Sequence, residues 1–180
     1  MRRLRPYVIS TVVFVALLAI GYFGLRPVPS APLTVGVQVG QLAPDWTLQR
    51  LDCKGTVQLR ALRGHPVWLN FFASWCPPCN AEAPGVARFA ARNPGIDVVG
   101  VDLTGSEKSE ADVAAFVAKY RIRFPVVLDP QNMVANRYQV QFIPTSFFID
   151  AHGVIRDVYT GALLPGMIRS ALAKAGYSMH

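Results

Sequence analysis

Cysteine and histidine are both scarce in this chain of 180 residues, which contains three of each. Two of the cysteines, Cys76 and Cys79, lie close together, and none of the histidines has ligand spacing relative to them. A zinc site needs a second pair of ligands, and the neighbouring sequence offers none. A metal-binding module or a copper chaperone is therefore a weaker interpretation than reversible disulfide chemistry of the two cysteines. We expect neither a metal nor an organic cofactor.

The chain also lacks a basic run interleaved with aromatic residues, and it shows no internal repeat. Only 16% of the residues are charged and 52% are hydrophobic, which is too apolar for a disordered chain. Fourteen basic and eleven acidic residues remain, a formal charge of +3, once four arginines near the N-terminus are set aside: Arg2, Arg3, Arg5 and Arg26. That charge is ordinary for a solvated surface, so we expect no nucleic-acid partner.

Charge is absent from residues 7–25, a stretch of nineteen. At about 1.5 Å per residue, a helix of this length spans roughly the hydrocarbon core of a bilayer. Three arginines precede the stretch and one follows, which places the N-terminus in the cytoplasm and the remaining chain outside. A cleaved signal peptide is the alternative, but its apolar core has about 7 to 15 residues. We therefore predict a single-pass membrane anchor over residues 1–26, with the domain in the periplasm or on the outer face.

Residues 27–42 are rich in proline, which is typical of an extended tether. We expect the folded domain over residues 43–176. Its first part predicts a hairpin of residues 46–51 and 56–59, because Gly55 between them can adopt the positive φ of a turn. The third cysteine, Cys53, falls in this turn. Outside the cytoplasm an exposed thiol invites oxidation, but we expect Cys53 to be unpaired and without a catalytic role.

Buried strands and helices alternate through the rest of the domain. Strands are predicted at residues 67–73, 96–103, 124–128, 145–149 and 154–159, and helices after Cys79 to residue 91, at 109–120, at 131–138 and from Pro165 to about 175. The order predicts an α/β fold with a mixed sheet covered on both faces by helices. The parallel strands come first and an antiparallel hairpin comes last.

The segment Ser74-Trp75-Cys76-Pro77-Pro78-Cys79 joins the first of these core strands to a helix. A cysteine at a helix N-terminus faces free backbone N–H groups and the positive end of the dipole, which both favour a thiolate. Cys76 is therefore the expected nucleophile, and Cys79, one turn further, is the thiol that resolves the mixed disulfide. Pro77 and Pro78 donate no N–H and are expected to tune this redox pair.

These motifs resemble the thioredoxin fold: the Cys76–Cys79 motif after a buried strand, Pro84 in the next helix, and Ile143-Pro144-Thr145 before the last hairpin. More narrowly, the leading hairpin, Ala43-Pro44-Asp45-Trp46, the segment from Leu69 to Cys76, and Glu82 resemble the TlpA/ResA-type thiol-disulfide oxidoreductases. These are membrane-anchored thioredoxins of the bacterial cell envelope. The resemblance covers roughly residues 41–175.

The resemblance implies roles for further residues. Glu82 would exchange a proton with Cys79, since Asn70 occupies the position of the buried aspartate of thioredoxins and does not titrate. The helix dipole alone also favours a glutamate near a helix start. Pro144 would follow a cis peptide bond, so that the Ile143 backbone holds a substrate strand beside Cys76. Trp75 would flank that groove, unless it serves only for packing.

The same resemblance implies reduction of protein disulfides in cytochrome c maturation, with the haem-attachment C-x-x-C-H of an apocytochrome as substrate. Electrons would come from an integral membrane protein that carries thiols. An oxidase or isomerase of secreted proteins is the alternative within the same class.

Overall fold

The computed structural model describes residues 11–18 and 33–177. Residues 11–18 are helical, whereas the rest of the predicted anchor and its flanking arginines lie outside the described residues. Within the described part of the chain, no helix combines the length and the apolar character needed to cross a membrane. The chain from Leu33 onward forms a structural unit of its own, and this unit contains the strands and helices named below.

Two short strands form the predicted hairpin. Strand β1 (Thr47–Gln49) pairs antiparallel with β2 (Thr56–Gln58). Gly55 has a φ of +92°, which a residue without Cβ adopts at little steric cost, and this confirms the prediction. Cys53 in the same turn is free and exposed.

Five further strands form the central sheet. They are β3 (Val67–Phe72), β4 (Asp97–Asp102), β5 (Val126–Leu128), β6 (Thr145–Ile149) and β7 (Ile155–Thr160). Their order across the sheet is β5-β4-β3-β6-β7. Strands β3, β4 and β5 are parallel, and β6 is antiparallel to both of its neighbours. This is the predicted mixed sheet.

Four helices follow in the predicted order: α1 (Pro77–Arg92), α2 (Glu110–Lys119), α3 (Met133–Arg137) and α4 (Pro165–Lys174). Ser109 caps α2 by accepting a hydrogen bond from the Asp112 N–H. Strand β5 starts at Val126 and not at the predicted Phe124. Pro125 has no N–H for the strand ladder, which explains the later start.

Strand β3 lies at the centre of the sheet with every side chain buried. Successive side chains of a strand point to opposite faces. Leu69 and Phe71 accordingly pack in one core, while Trp68 and Phe72 pack in two separate clusters that include residues of the helices. Asn70 shares the face of Trp68 and Phe72, and this alternation directs its amide toward helix α1.

The ordered structure extends upstream of the predicted domain start at Ala43. The Gly40 N–H donates to the Ile155 carbonyl oxygen at 2.8 Å, and the Ile155 N–H donates to the Gln41 carbonyl oxygen at 2.9 Å. The part of the predicted tether from Leu33 to Leu42 thus includes backbone pairs with β7. The prolines of the predicted tether all precede Leu33. The residues after them gave no sign of these pairs, because main-chain groups of almost any residue can form such hydrogen bonds.

Asp150 holds the turn between β6 and β7. Its Oδ1 accepts hydrogen bonds from the His152 and Val154 N–H groups, both at 2.9 Å, and its Oδ2 accepts one from Arg156 Nε at 2.7 Å. Burial raises the pKa of Asp150, but these hydrogen bonds outweigh burial and lower the pKa below its ordinary value. The stabilisation is therefore fully present above about pH 4 and is lost as the pH falls further.

We expect Asp150→Asn to lower the free energy of unfolding by about 1 to 3 kcal/mol at neutral pH, because an amide cannot accept all three hydrogen bonds. Urea unfolding at neutral pH and at about pH 3 measures this, and the variant should lose less stability in acid than the unmodified protein. Asp157→Asn, which removes a more exposed ion pair with Lys174, is the matched control. Equal effects of the two substitutions would contradict the prediction.

Candidate active site

The loop after β3 brings Cys76 to the N-terminus of α1. Cys76 is the N-cap residue, and its Sγ accepts a hydrogen bond from the Cys79 N–H at 3.3 Å. Pro77 and Pro78 are the first two helical residues and have no N–H to donate. Of the first three helical residues, only Cys79 can therefore donate a backbone hydrogen bond to the Cys76 sulfur.

Cys76 and Cys79 form a disulfide, as their spacing predicts. Both residues are almost completely buried, with 2% of the Cys76 surface and 1% of the Cys79 surface exposed. Among the described residues, no group of three or more His, Cys, Asp or Glu side chains is arranged to hold a metal ion. The two cysteines are therefore placed to interconvert between a disulfide and two thiols.

The segment before β6 lies beside this pair. The Ile143–Pro144 peptide bond is cis, as the resemblance implied. The Ile143 carbonyl oxygen lies 3.6 Å from Cys76 Sγ. The Pro144 carbonyl oxygen accepts a hydrogen bond from the Gly161 N–H at 2.8 Å, which ties the segment to the end of β7.

Exposed aromatic side chains flank the two segments that meet at Cys76. Trp75, directly before Cys76, is 55% exposed, and Phe142, directly before Ile143, is 70% exposed. Trp75 is therefore not a buried packing residue, which was the alternative for it. Phe142 was not predicted, although an aromatic residue directly before Ile143-Pro144 is a signal that the sequence does contain. Exposed apolar groups beside a reactive sulfur are suited to contact a protein substrate.

Glu82 lies one turn after Cys79 on α1 and is buried. Its Oε1 accepts a hydrogen bond from Asn70 Nδ2 at 2.8 Å, and its Oε2 accepts one from the Leu163 N–H at 3.0 Å. Burial raises the pKa of Glu82 above its ordinary value, and the two hydrogen bonds oppose this only in part. A carboxyl group that keeps its proton to higher pH is suited to acid–base catalysis near neutral pH.

Cys79 and Glu82 line the same small cavity together with Asn70. The other lining residues are apolar: Phe72, Ala83, Val86, Phe116, Ile122 and Phe124. An apolar surrounding disfavours the charged carboxylate, which is the physical cause of the raised pKa. The structure thus brings the predicted resolving cysteine and the predicted proton carrier together.

Two further contacts of the site were missed by the sequence analysis. Leu163 contributes through its backbone N–H, which any residue except proline possesses. Asn80 donates from Nδ2 to the Ser74 and Cys76 carbonyl oxygens at 2.8 and 2.9 Å, and its Oδ1 accepts from the Tyr120 hydroxyl at 2.7 Å. The partners of Leu163 and Tyr120 are distant in sequence, so no local pattern reveals them.

Together with the mixed sheet, this geometry puts the chain in the class of thioredoxin-like thiol-disulfide oxidoreductases. Residues 39–158 match the model of the AhpC/TSA family, and the chain belongs to that family.

Individual relatives agree with this class. The chain is 38% identical over 130 residues to the thioredoxin-like protein YneN of Bacillus subtilis, covering 72% of this chain and 75% of that protein. It is 30% identical over 169 residues to the thiol-disulfide oxidoreductase ResA of the same organism, covering 93% and 91%. A secreted disulfide oxidoreductase of Mycobacterium tuberculosis, homologous to DsbE of E. coli, has a similar structure, with a TM-score of 0.64, 29% identity, and coverage of 71% of this chain and 94% of that one.

Proposed function

We propose that the protein reduces disulfides of protein substrates on the outer side of a membrane to which its N-terminus anchors it. The observation that carries the direction of electron flow is the pair of prolines between the cysteines. Of the first three helical residues only Cys79 has an N–H that can donate to Cys76 Sγ, so the Cys76 thiolate gains less stabilisation than at a helix start with three free N–H groups. Strongly oxidising pairs are those whose reduced form is stabilised, so weak stabilisation favours a reductant.

Reduction proceeds in two exchange steps. The Cys76 thiolate attacks one sulfur of the substrate disulfide, forms a mixed disulfide and releases the other substrate sulfur as a thiolate. Cys79 then gives its proton to Glu82 and attacks Cys76, which forms the Cys76–Cys79 disulfide and releases the second substrate sulfur. Two electrons pass to the substrate, and a thiol-carrying integral membrane protein restores the dithiol.

The surroundings of Cys76 support a protein substrate. The Ile143 carbonyl oxygen beside Cys76 is placed to accept a main-chain hydrogen bond from a substrate strand. Trp75 and Phe142 add exposed apolar surface on the two segments that meet there. We propose the haem-attachment C-x-x-C-H of an apocytochrome c as this substrate, on the resemblance to the TlpA/ResA type.

Export is supported by two observations. The charge-free stretch of residues 7–25 follows three arginines, which directs the rest of the chain outward. The related Mycobacterium tuberculosis oxidoreductase is a secreted protein. Both agree with a domain that acts in the cell envelope.

Trapping the mixed disulfide tests this proposal. In a Cys79→Ala variant the first step still occurs but resolution cannot, so the substrate stays bound to Cys76 and can be identified from cells. We expect an apocytochrome c to be bound to the Cys79→Ala variant. It should not be bound to the Cys76→Ala, Cys79→Ala control, which has no cysteine at either position. We also expect a reduction potential far below about −120 mV, the value of a strong disulfide oxidant. A broad set of secreted proteins with a potential near that value would identify an oxidase or isomerase.

A further inference from the structure

A second set of carboxyl groups, separate from Glu82, lies near the loop that precedes Cys76. Asp102 ends β4 and Asp129 follows β5, and both residues are fully buried. Glu107 belongs to the loop between β4 and α2. The two exchange steps described above use none of these three groups.

Glu107 holds the Cys76 loop through Ser74. The Ser74 N–H donates to Glu107 Oε1, and the Ser74 hydroxyl donates to Glu107 Oε2 at 2.7 Å. The Ser74 carbonyl oxygen accepts from Asn80 Nδ2. All three polar groups of Ser74, two residues before the nucleophile, are thus fixed, and Glu107 fixes two of them.

Asp102 lies beside the start of the Cys76 loop, because it pairs with Phe72, two residues before Ser74, across β3 and β4. Its Oδ1 accepts from the Thr104 hydroxyl at 2.8 Å, whereas its buried Oδ2 has no donor among the described residues. Glu107 is near enough to raise the pKa of Asp102 by its charge and by a hydrogen bond between the two carboxyl groups. Two carboxyl groups can form a hydrogen bond only when one carries a proton. The proton belongs on Asp102, because both Glu107 oxygens already accept from Ser74.

The surroundings of Asp102 favour this protonated form. Burial raises the pKa of Asp102 to about 8, with the Thr104 hydrogen bond opposing the rise and the negative charges of Glu107 and Asp129 adding to it. In the part of the chain that the structure describes, the charged groups that act on Asp102 are Glu107 and Asp129, and Thr104 is a neutral partner. Asp102 therefore keeps its proton near neutral pH and loses it at alkaline pH.

We propose that Asp102 and Glu107 are positioning residues for the Cys76 loop, and that their shared proton makes the reactivity of Cys76 depend on pH independently of Glu82. When Asp102 loses its proton, two carboxylates repel each other and the hold of Glu107 on Ser74 weakens. The inference concerns the cysteine pair itself and does not rest on the substrate or direction proposed above.

The rate at which iodoacetamide alkylates Cys76 in the reduced full-length chain tests the role of Asp102 and Glu107. A Cys53→Ser background removes the exposed thiol, and the rate is measured from below to above the Asp102 pKa of about 8. With Asp102 and Glu107 unchanged, we expect the alkylation rate to change in two steps as the pH rises, one from Cys76 and one from Asp102. Asp102→Asn keeps a donor to Glu107 but cannot ionise, so it should leave only the Cys76 step.

Two further variants separate positioning from mere packing. Glu107→Gln cannot accept both Ser74 hydrogen bonds and should change the alkylation rate about tenfold across the pH range, the effect of one hydrogen bond to a charged group. Its control is Glu110→Gln, which neutralises an exposed carboxylate three residues further along. Thr104→Val removes a donor that favours the ionised Asp102, so the second step should move to higher pH.

An Asp102→Asn profile that keeps both steps overturns the proposal, as does a Glu107→Gln rate equal to that of Glu110→Gln. Circular dichroism reports whether each variant folds. If Asp102→Asn does not fold, Thr104→Val decides: a second step that stays at the same pH overturns the proposal, and a step at higher pH supports it.

Discussion

Replacement of Cys76 by Ser is expected to abolish the reduction of a protein disulfide such as that of insulin. A hydroxyl at this position stays protonated and cannot attack a disulfide sulfur at neutral pH. We expect the rate to fall by at least about a thousandfold. The loss of its nucleophile slows a hydrolase by about 10⁶-fold, so a thousandfold is a lower bound. Turbidity or fluorescence of reduced insulin measures the rate.

Two matched variants make this result specific. Cys79→Ser should still attack through Cys76 but stop at the mixed disulfide, which non-reducing electrophoresis detects as a covalent complex. Cys53→Ser should keep its full rate, because Cys53 is free and exposed in a turn of the β1–β2 hairpin and does not line the site. The prediction fails if Cys76→Ser retains activity, or if Cys53→Ser loses as much activity as Cys76→Ser.

The second large effect is expected from Glu82→Gln, which should slow resolution by Cys79 by about 10² to 10⁴-fold, the range of general acid–base catalysis. Burial raises the pKa of Glu82, so the carboxyl group is protonated at low pH and becomes a base only above that raised value. Resolution in the unmodified protein should therefore rise with pH as Glu82 ionises. The glutamine variant should lack this rise.

Release of a labelled peptide from the mixed disulfide, followed by stopped flow over a range of pH, measures resolution directly. Asn70→Ala is the informative companion, because the Asn70 hydrogen bond lowers the pKa of Glu82. Its removal should move the rise to higher pH and leave Glu82 able to titrate. An unchanged pH profile in Glu82→Gln would exclude Glu82 as the proton carrier.

Much of the fold was predictable because its signals are local. The buried strand before Cys76, the helix that follows the cysteine motif, the helix after Ser109 and the turn at Gly55 each depend on a few adjacent residues, and the structure contains all four. The order of strands and helices then restricts the topology to a mixed sheet. Boundaries were less accurate, since the end of a strand depends on its neighbours in the sheet.

The active site likewise has features that the local sequence predicts and features that depend on distant residues. Cys76, Cys79 and Glu82 lie within seven residues of one another on one helix start, so their spacing alone indicates that they meet. The raised pKa of Glu82 was not predictable, because it depends on the apolar cavity that residues of other elements line, such as Phe116 and Phe124.

The amino-acid sequence by itself determined that two prolines separate the two cysteines at a helix N-terminus. It also predicts which sulfur attacks and which resolves, because these are properties of neighbouring residues at a helix start. Only the tertiary structure decided how that chemistry is controlled. The Leu163 N–H reaches Glu82 across 81 positions of the chain, and Glu107 reaches Ser74 across 33. Burial raises the pKa of Glu82 and long-range hydrogen bonds oppose this rise, and both arise only when Phe116, Phe124 and the loop before α4 pack around that carboxyl group.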